Sequence, residues 1–326
     1  MARIRLSDVA ARAGVTPGAA SLALNDKPGV SSQTRERIRL LAVEMGYVPH
    51  QGARALSQGR SDMWGAFFDL GPDAWPVWLS GALAHAGAAG VRLIVQPLPQ
   101  RDRRREFFRQ IAVDARLDGL LLLDPTGDDA SLRPLWESNV PTVVAGRRSL
   151  WFDCVEIHDR LAQEHLLTQL SLDRKRPVAL VATRDQIAQE DPRIALWAEH
   201  VESDRRSILV PVTEDSPESG VAALGQILRE NDQVRAVYSL AGDRTAWGIL
   251  REAQLRHISV PGDLAVAGWG DLPFSSWVDP ELTTLHIPWE ELGIRSAWLL
   301  QNRLAKPGGT RVHRTLDAEL ITRRSA

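Results

Sequence analysis

The sequence predicts a small all-α head followed by a large α/β body of two lobes. Three observations predict it. The chain has 326 residues and a mass of 36.0 kDa, room for two to three domains at roughly 100–200 residues each. Its formal net charge of −2 is unevenly divided: residues 1–60 hold nine Lys/Arg against four Asp/Glu, whereas residues 61–326 hold 30 against 37. The apolar pattern changes as well, from helical spacing before residue 46 to short apolar runs separated by helix-length segments after residue 62.

Composition narrows the class further. With 44% hydrophobic and 25% charged residues the chain has the balance of a globular protein, neither disordered nor membrane-embedded. A single cysteine, Cys154, excludes an intramolecular disulfide and a cysteine-ligated zinc, and fits a reducing compartment. The first residues carry no apolar core of secretory length, and no run approaches the roughly 18 apolar residues of a membrane helix. A cytoplasmic location with no membrane partner is expected. The basic head on an acidic body hints at a polyanion partner, because each phosphate neutralised by Arg or Lys releases condensed counterions.

Within the head, Ser7 is read as the cap of a helix running to Ala13, with Val9 and Ala10 inward and Gly14 supplying the left-handed residue that ends it. Thr16 is an N-cap candidate and Pro17 suits a first helical position, so a second helix is expected to about Asn25, with Ala20 and Leu24 facing the first. Ser31 opens a third helix with Ile38, Leu41, Ala42 and Met45 buried and Gly46 as its stop. Two short helices across a glycine turn form a helix-turn-helix, whose second helix fits a DNA major groove; an ordinary three-helix bundle has the same pattern.

In the body, strands are expected at 66–70, 93–96, 119–123, 142–145, 178–182, 208–212, 236–240 and 264–268, with a last one at 314–316. Strands alternating with helices form doubly wound parallel sheets, here two lobes. A ligand is then expected beyond the carboxyl ends of the strands, in the cleft between lobes.

The run from Asp8 to Arg60, DVAARAGVTPGAASLALNDKPGVSSQTRERIRLLAVEMGYVPHQGARALSQGR, resembles the DNA-binding head and hinge of the lactose-repressor (LacI/GalR) family of bacterial transcription regulators. The resemblance continues through AVYSLAGDRTAWGILREAQLRHISVPGDLAVAGWGDLPFSSWVDPELTTLHIPWEELG, and only in outline over 72–158. It implies a helix-turn-helix head at 1–48, a hinge helix at 49–61 and a periplasmic-binding-protein-like core at 62–326. Lobe 1 would comprise about 62–158 and 288–316, and lobe 2 about 159–287 and 317–326. It implies that Pro17, Gly18 and Leu22 face base edges, that Thr16, Ser21, Asn25, Ser31, Thr34 and Tyr47 hold phosphates, and that Ala53 and Leu56 enter the minor groove as an apolar wedge. Double-stranded operator DNA, a second copy of the chain and a small-molecule effector are the implied partners, with no cofactor, metal or catalytic residue. Two half-sites read by a homodimer imply a near-palindromic operator and, most simply, a repressor; no leucine heptad follows 314–316, so a dimer is expected over a tetramer.

The chain departs from the family at its reading positions. Pro17 and Gly18 offer no side-chain donors, and Leu22 stands where a guanine-reading arginine is frequent, so specificity leans on apolar contacts, backbone approach and DNA shape. In the effector site Arg193 matches an arginine that grips ligand, and Asp243 and Gly270 fall at matching positions. Gly146, Gly242, Gly270 and Ile287 stand where sugar-responsive members carry polar groups, which argues against a standard sugar. Eleven tryptophans against two tyrosines are a skewed use; Trp75, Trp78, Trp197, Trp247 and Trp269 are expected at strand ends or cleft-lining helices, where they would suit a flat or apolar ligand, or else lie in the cores or a dimer interface. A cleft without any ligand is the alternative. A solute-binding receptor would share the body but has no use for the head.

Other motifs are weaker. His158, Asp159, Glu164 and His165 lack the HExxH spacing of a zinc site, Asp124, Asp128 and Asp129 lack that of a calcium loop, and Arg101 to Glu106 is read as a solvated helix start. Nothing resembles a phosphate-cradling loop or a nucleophile elbow.

Overall fold

The computed structural model describes residues 4–47, 60–69, 75–113, 117–123, 127–171, 177–201 and 206–326, which form two compact units divided at Asp62. Residues 49–59 of the expected hinge, with Ala53 and Leu56, and Asp124 lie outside the described residues.

The head is three helices: α1 (Leu6–Ala13), α2 (Pro17–Leu24) and α3 (Ser32–Glu44). Its first helix starts one residue before Ser7. Arg5 is the N-cap, and the Asp8 carboxylate at the third helical position accepts from the Arg5 backbone N–H at 2.8 Å, the return half of a capping box with an acid at the positive helix end. Gly14 ends the helix at φ 66°. Thr16 and Ser31 cap α2 and α3, accepting from the backbone N–H of Ala19 and Thr34 at 3.2 Å each. Val9, Ala10, Ala13, Ala20, Ala23, Ile38 and Ala42 form the core, with Leu24, Leu41 and Met45 partly buried around it. Small residues at this core let three short helices approach closely.

The body is two six-stranded sheets. The first uses β1 (Met63–Phe68), β2 (Arg92–Pro97), β3 (Gly119–Leu123), β4 (Thr142–Gly146), β5 (Asp153–His158) and β11 (His313–Asp317), all parallel, in the order β11-β5-β4-β3-β1-β2. Helices α4 (Trp75–Ala88) and α12 (Trp289–Ala305) cover one face, and α5 (Arg101–Ala112) and α6 (Arg133–Glu137) the other. The second sheet uses β6 (Val178–Thr183), β7 (Leu209–Val212), β8 (Ala236–Ser239), β9 (Ala265–Gly270), β10 (Thr283–His286) and β12 (Glu319–Ile321), in the order β12-β10-β9-β8-β6-β7, with β12 antiparallel. Helices α7 (Arg160–Ser171), α8 (Arg184–Ala188) and α9 (Pro192–Val201) lie on one side of it, α10 (Pro217–Glu230) and α11 (Asp243–Leu255) on the other. The chain crosses between lobes after β5, after β10 and after β11.

Each lobe locks one helix pair by glycine contact. A Cβ at Gly81 or Gly293 would lie 2.1 Å and 2.0 Å from the carbonyl oxygens of Glu290 and Trp78, which brings α4 and α12 backbone to backbone. Gly220 and Gly248 do the same for α10 and α11, at 2.0 Å from the carbonyls of Thr245 and Pro217.

β5, β10 and β12 stand beyond the strands expected from sequence. In β5, DCVEIH, the buried Asp153 is paired with Arg303, and Glu156 and His158 fall in the second half, which reaches the cleft. β10 is four residues whose Thr283 and Thr284 are buried but hydrogen-bonded through their hydroxyls, so it reads as polar.

Candidate nucleic-acid interface and ligand cleft

In the head, Thr16, Pro17 and Gly18 are exposed at the N-terminal turn of α2, the end whose backbone N–H groups suit a phosphate or base edge. Leu22 is half-buried against the turn at Gly29, which has φ +116° and where a Cβ would lie 3.2 Å from the Leu22 Cδ1. Ser21 and Asn25 are tied together, the Asn25 amide donating to the Ser21 carbonyl at 2.9 Å. Ser31 and Thr34 pair through their hydroxyls at 2.9 Å, and Tyr47 leans on the head core. Of the head's arginines, Arg35 and Arg39 are spent on Asp26, at 2.9 and 2.6 Å, and Arg37 donates to the Ala13 carbonyl. Arg35 and Arg39 thus brace the turn between α2 and α3, and Arg37 the end of α1, instead of standing free for DNA.

In the body, one cavity of about 260 Å³ lies at the carboxyl ends of the strands between the lobes. Lobe 1 brings Gly146, Arg147, Glu156, Ile157 and Trp289; lobe 2 brings Asp159, Gln186, Gln189, Asp191, Arg193 and Trp269. Arg193, in the first turn of α9, meets Asp191 side on, Nε and Nη2 donating to the two carboxylate oxygens at 2.9 and 2.6 Å, while Nη1 stands 3.7 Å from Asp159. Its guanidinium carbon lies 4.6 Å from the centre of the Trp269 ring. The Trp269 indole N–H donates to Asp159 at 3.1 Å, and Trp289 meets Trp269 edge to face at 5.7 Å. Burial acts to raise the Asp191 carboxyl, but the hydrogen bonds and charge of Arg193 outweigh it and hold that carboxyl below its ordinary pKa. Burial likewise acts against the Arg193 charge, and Asp191 with Asp159 more than restores it. The wall is thus a preset charged network with three carboxylates against two guanidiniums.

Several residues expected in the cleft are elsewhere. Trp78 is fully buried in the lobe-1 core and Trp197 is 7% exposed in the lobe-2 core, each large ring filling volume beneath a helix. Trp247 packs against the other side of lobe 2, edge to face with Phe274 at 6.1 Å. Trp75 stacks on Phe68 at 4.5 Å, at the edge of the lobe-1 core. Asp243 is 0% exposed and accepts from the Leu272 N–H and the Ser275 and Thr284 hydroxyls, each at 2.7 Å, so it ties α11 to β10 and does not line the cavity. Burial nevertheless raises its pKa, those three bonds opposing. Gly270 contributes its carbonyl to the Trp289 indole N–H at 3.2 Å. Of the expected set, Arg193 and Trp269 line the cavity.

The case against a sugar also changes. Gly242 closes on Asp215, Gly270 is buried and Ile287 sits in the lobe-1 core, so of the four apolar replacements only Gly146 lines the cavity. Sequence reasoning missed Trp289, Asp191 and Gln186. The available signal was local: Asp191-Pro192-Arg193 puts an acid two residues before an arginine at a proline-started helix. His158 pairs with Asp317 at 3.3 Å at a crossover, and Asp129 accepts from Arg147, Ser149 and Leu150; no cluster of His, Cys, Asp or Glu fit for a metal occurs among the described residues.

A three-helix head whose second helix starts exposed is followed by two lobes that share a cleft, the architecture of a DNA-binding regulator. Residues 5–50 match the family of bacterial regulatory proteins of the lacI type, and residues 191–326 match a periplasmic binding protein-like domain. The chain is 29% identical to the HTH-type transcriptional regulator CelR of Thermobifida fusca, over 99% of this chain and 98% of that protein, and 25% identical to the transcriptional repressor CytR of Escherichia coli, over 98% and 95%. Among solved structures it is similar to a CelR–cellobiose complex (TM-score 0.71, 25% identity, 99% and 100% covered) and, in fold, to a lac repressor dimer bound to operator and an anti-inducer (TM-score 0.86, 22% identity, 99% of each chain). The chain thus carries a lacI-type DNA-binding head and a periplasmic binding protein-like domain, and over nearly its whole length it is similar to bacterial transcriptional regulators. No helix among the described residues is long and apolar enough to cross a membrane.

Proposed function

We propose that this regulator is a homodimeric cytoplasmic repressor that binds a near-palindromic operator and is modulated by a small molecule between its lobes. The observation that carries the reading is the pairing of two features in one chain: α2, with Thr16, Pro17 and Gly18 at its open end, and the prebuilt Arg193–Asp191–Trp269 cleft. Pro17, Gly18 and Leu22 face the bases; Thr16, Ser21, Asn25, Ser31, Thr34 and Tyr47 hold the phosphates; Ala53 and Leu56 form the minor-groove wedge. CelR bound to cellobiose and the lac repressor dimer on its operator support such a division of labour. Exposed apolar side chains support a second copy, namely Phe274 (65%) and Trp277 (84%) on lobe 2 and the outer strand β2 of lobe 1.

The ligand follows from the inventory of the wall. Arg193 is committed to Asp191, whereas Glu156, Asp159 and Gln189 retain acceptor capacity. A neutral or cationic molecule bearing several hydroxyl or ammonium donors fits this wall, with Trp269 and Trp289 against its apolar face. Its effect on DNA equals its differential affinity for the two states of the body. Footprinting on a genomic fragment selected by the protein tests the reading: protection of two dyad-related half-sites that a bound ligand alters supports it, and protection of one unpaired site overturns the dimer.

A further inference from the structure

A second pocket, of about 280 Å³, opens at the opposite end of lobe 1, at the amino ends of β4 and β5, away from the ligand cleft. One wall is aromatic. The rings of Trp136 and Trp151 lie 5.6 Å apart and tilted by 32°, a continuous face on which Trp136 is 49% exposed, and Pro141 extends it. The floor is the pair of buried Asp153 and half-buried Arg303, joined side on at 2.6 and 2.7 Å and neutral as a unit. Above it Arg311 donates through Nη1 to the Leu150 carbonyl, and its Nε and Nη2, like both indole N–H groups, have no hydrogen-bond partner among the described residues.

These features specify a ligand by chemistry. The surplus charge is one guanidinium, whose planar fork matches a carboxylate in two parallel hydrogen bonds. The tilted indoles offer flat apolar area on which an aromatic ring stacks in an offset manner. An exposed Trp136 stands with the partly buried Trp151 beside an open arginine, over a core that holds Leu132, Leu135 and Phe152. We propose that this pocket is a binding site for a small aromatic carboxylate, independent of the inter-lobe cleft and of any effector held there.

The test uses the full chain, with 2-naphthoate as the probe and 2-naphthylmethanol as its neutral counterpart, by isothermal titration calorimetry. One naphthoate per chain is expected, with the alcohol bound at least tenfold more weakly. Arg311→Gln, at an exposed position, should weaken naphthoate at least tenfold and Arg311→Lys less; Trp136→Leu should also weaken it, while Arg193→Ala leaves it unchanged. No binding at millimolar probe, equal affinity for acid and alcohol, or loss in Arg193→Ala with none in Arg311→Gln would each overturn the assignment.

Discussion

Arg193 lies over Trp269 at 4.6 Å while both oxygens of Asp191 hold its edge. This arrangement presets the arginine before any ligand arrives, because it is held by a partner at its own helix start. Removing it leaves two carboxylates half-enclosed without a counter-charge.

Arg193→Ala should therefore cost about 3–5 kcal/mol, the range for breaking one side of a buried pair, and abolish the effector response while operator binding persists at temperatures where the body stays folded. The double variant Arg193→Met with Asp191→Asn should recover most of the stability but none of the response. Urea unfolding and operator binding with and without ligand separate the two; a preserved response in either variant contradicts the cleft assignment.

The glycine contacts predict opposite signs within one helix. Gly293→Ala and Gly81→Ala place a methyl on backbone oxygen 2.0–2.1 Å away and should each destabilise by about 1–3 kcal/mol or more. Gly87, in the same helix as Gly81, has nothing within 4 Å of its Cβ position, so Gly87→Ala should stabilise by about 0.5–1 kcal/mol. Thermal melts of the three variants check the pattern.

Asp215 accepts from the backbone N–H and hydroxyl of Thr245, both at 2.8 Å, at the start of α11. Burial, together with the charge of Asp243, pushes its pKa up to about 6 against an ordinary 3.8, Thr245 opposing. A carboxyl raised on folding binds more protons in the native state, so its destabilising effect is full above about pH 6 and fades as pH falls toward 4. Asp215→Asn should remove that slope: wild type gains stability relative to the variant between pH 7 and pH 5. Urea titrations at three pH values measure it, and a constant difference would refute the assignment.

In the head, the Thr16 and Ser31 hydroxyls each accept one backbone N–H. Thr16→Ala and Ser31→Ala should each lower head stability by about 1 kcal/mol and weaken operator binding beyond that loss if the same hydroxyls also meet phosphates. Comparing melting with binding at 10 °C and two salt concentrations distinguishes capping alone from capping with contact.

The head was legible because its signals are local: Thr16-Pro17, Ser31 and Gly14 act within one turn of themselves. Arg5 escaped notice because arginine is not a capping residue type, and Asp8, three residues on, accepts its backbone N–H from inside the helix. The parallel strands were legible as apolar runs because both faces of each sheet are covered, and β10 was not, because Thr284 is buried by bonding to Asp243, 41 residues away. The same remoteness hid the cleft. Sequence position placed Trp78, Trp197 and Trp247 near the ligand, whereas their rings point into three different cores; an indole's composition does not say which side of a helix it occupies.

The most direct measurement is sequencing of genomic fragments retained by the purified full chain at near-physiological salt, with and without small polyols and amines. A single enriched near-palindrome, whose retention changes with one of those molecules and not in Arg193→Ala, is the predicted result. Salt-sensitive retention with no enriched sequence would contradict it, showing that a head with Pro17, Gly18 and Leu22 at its reading face holds DNA without selecting it.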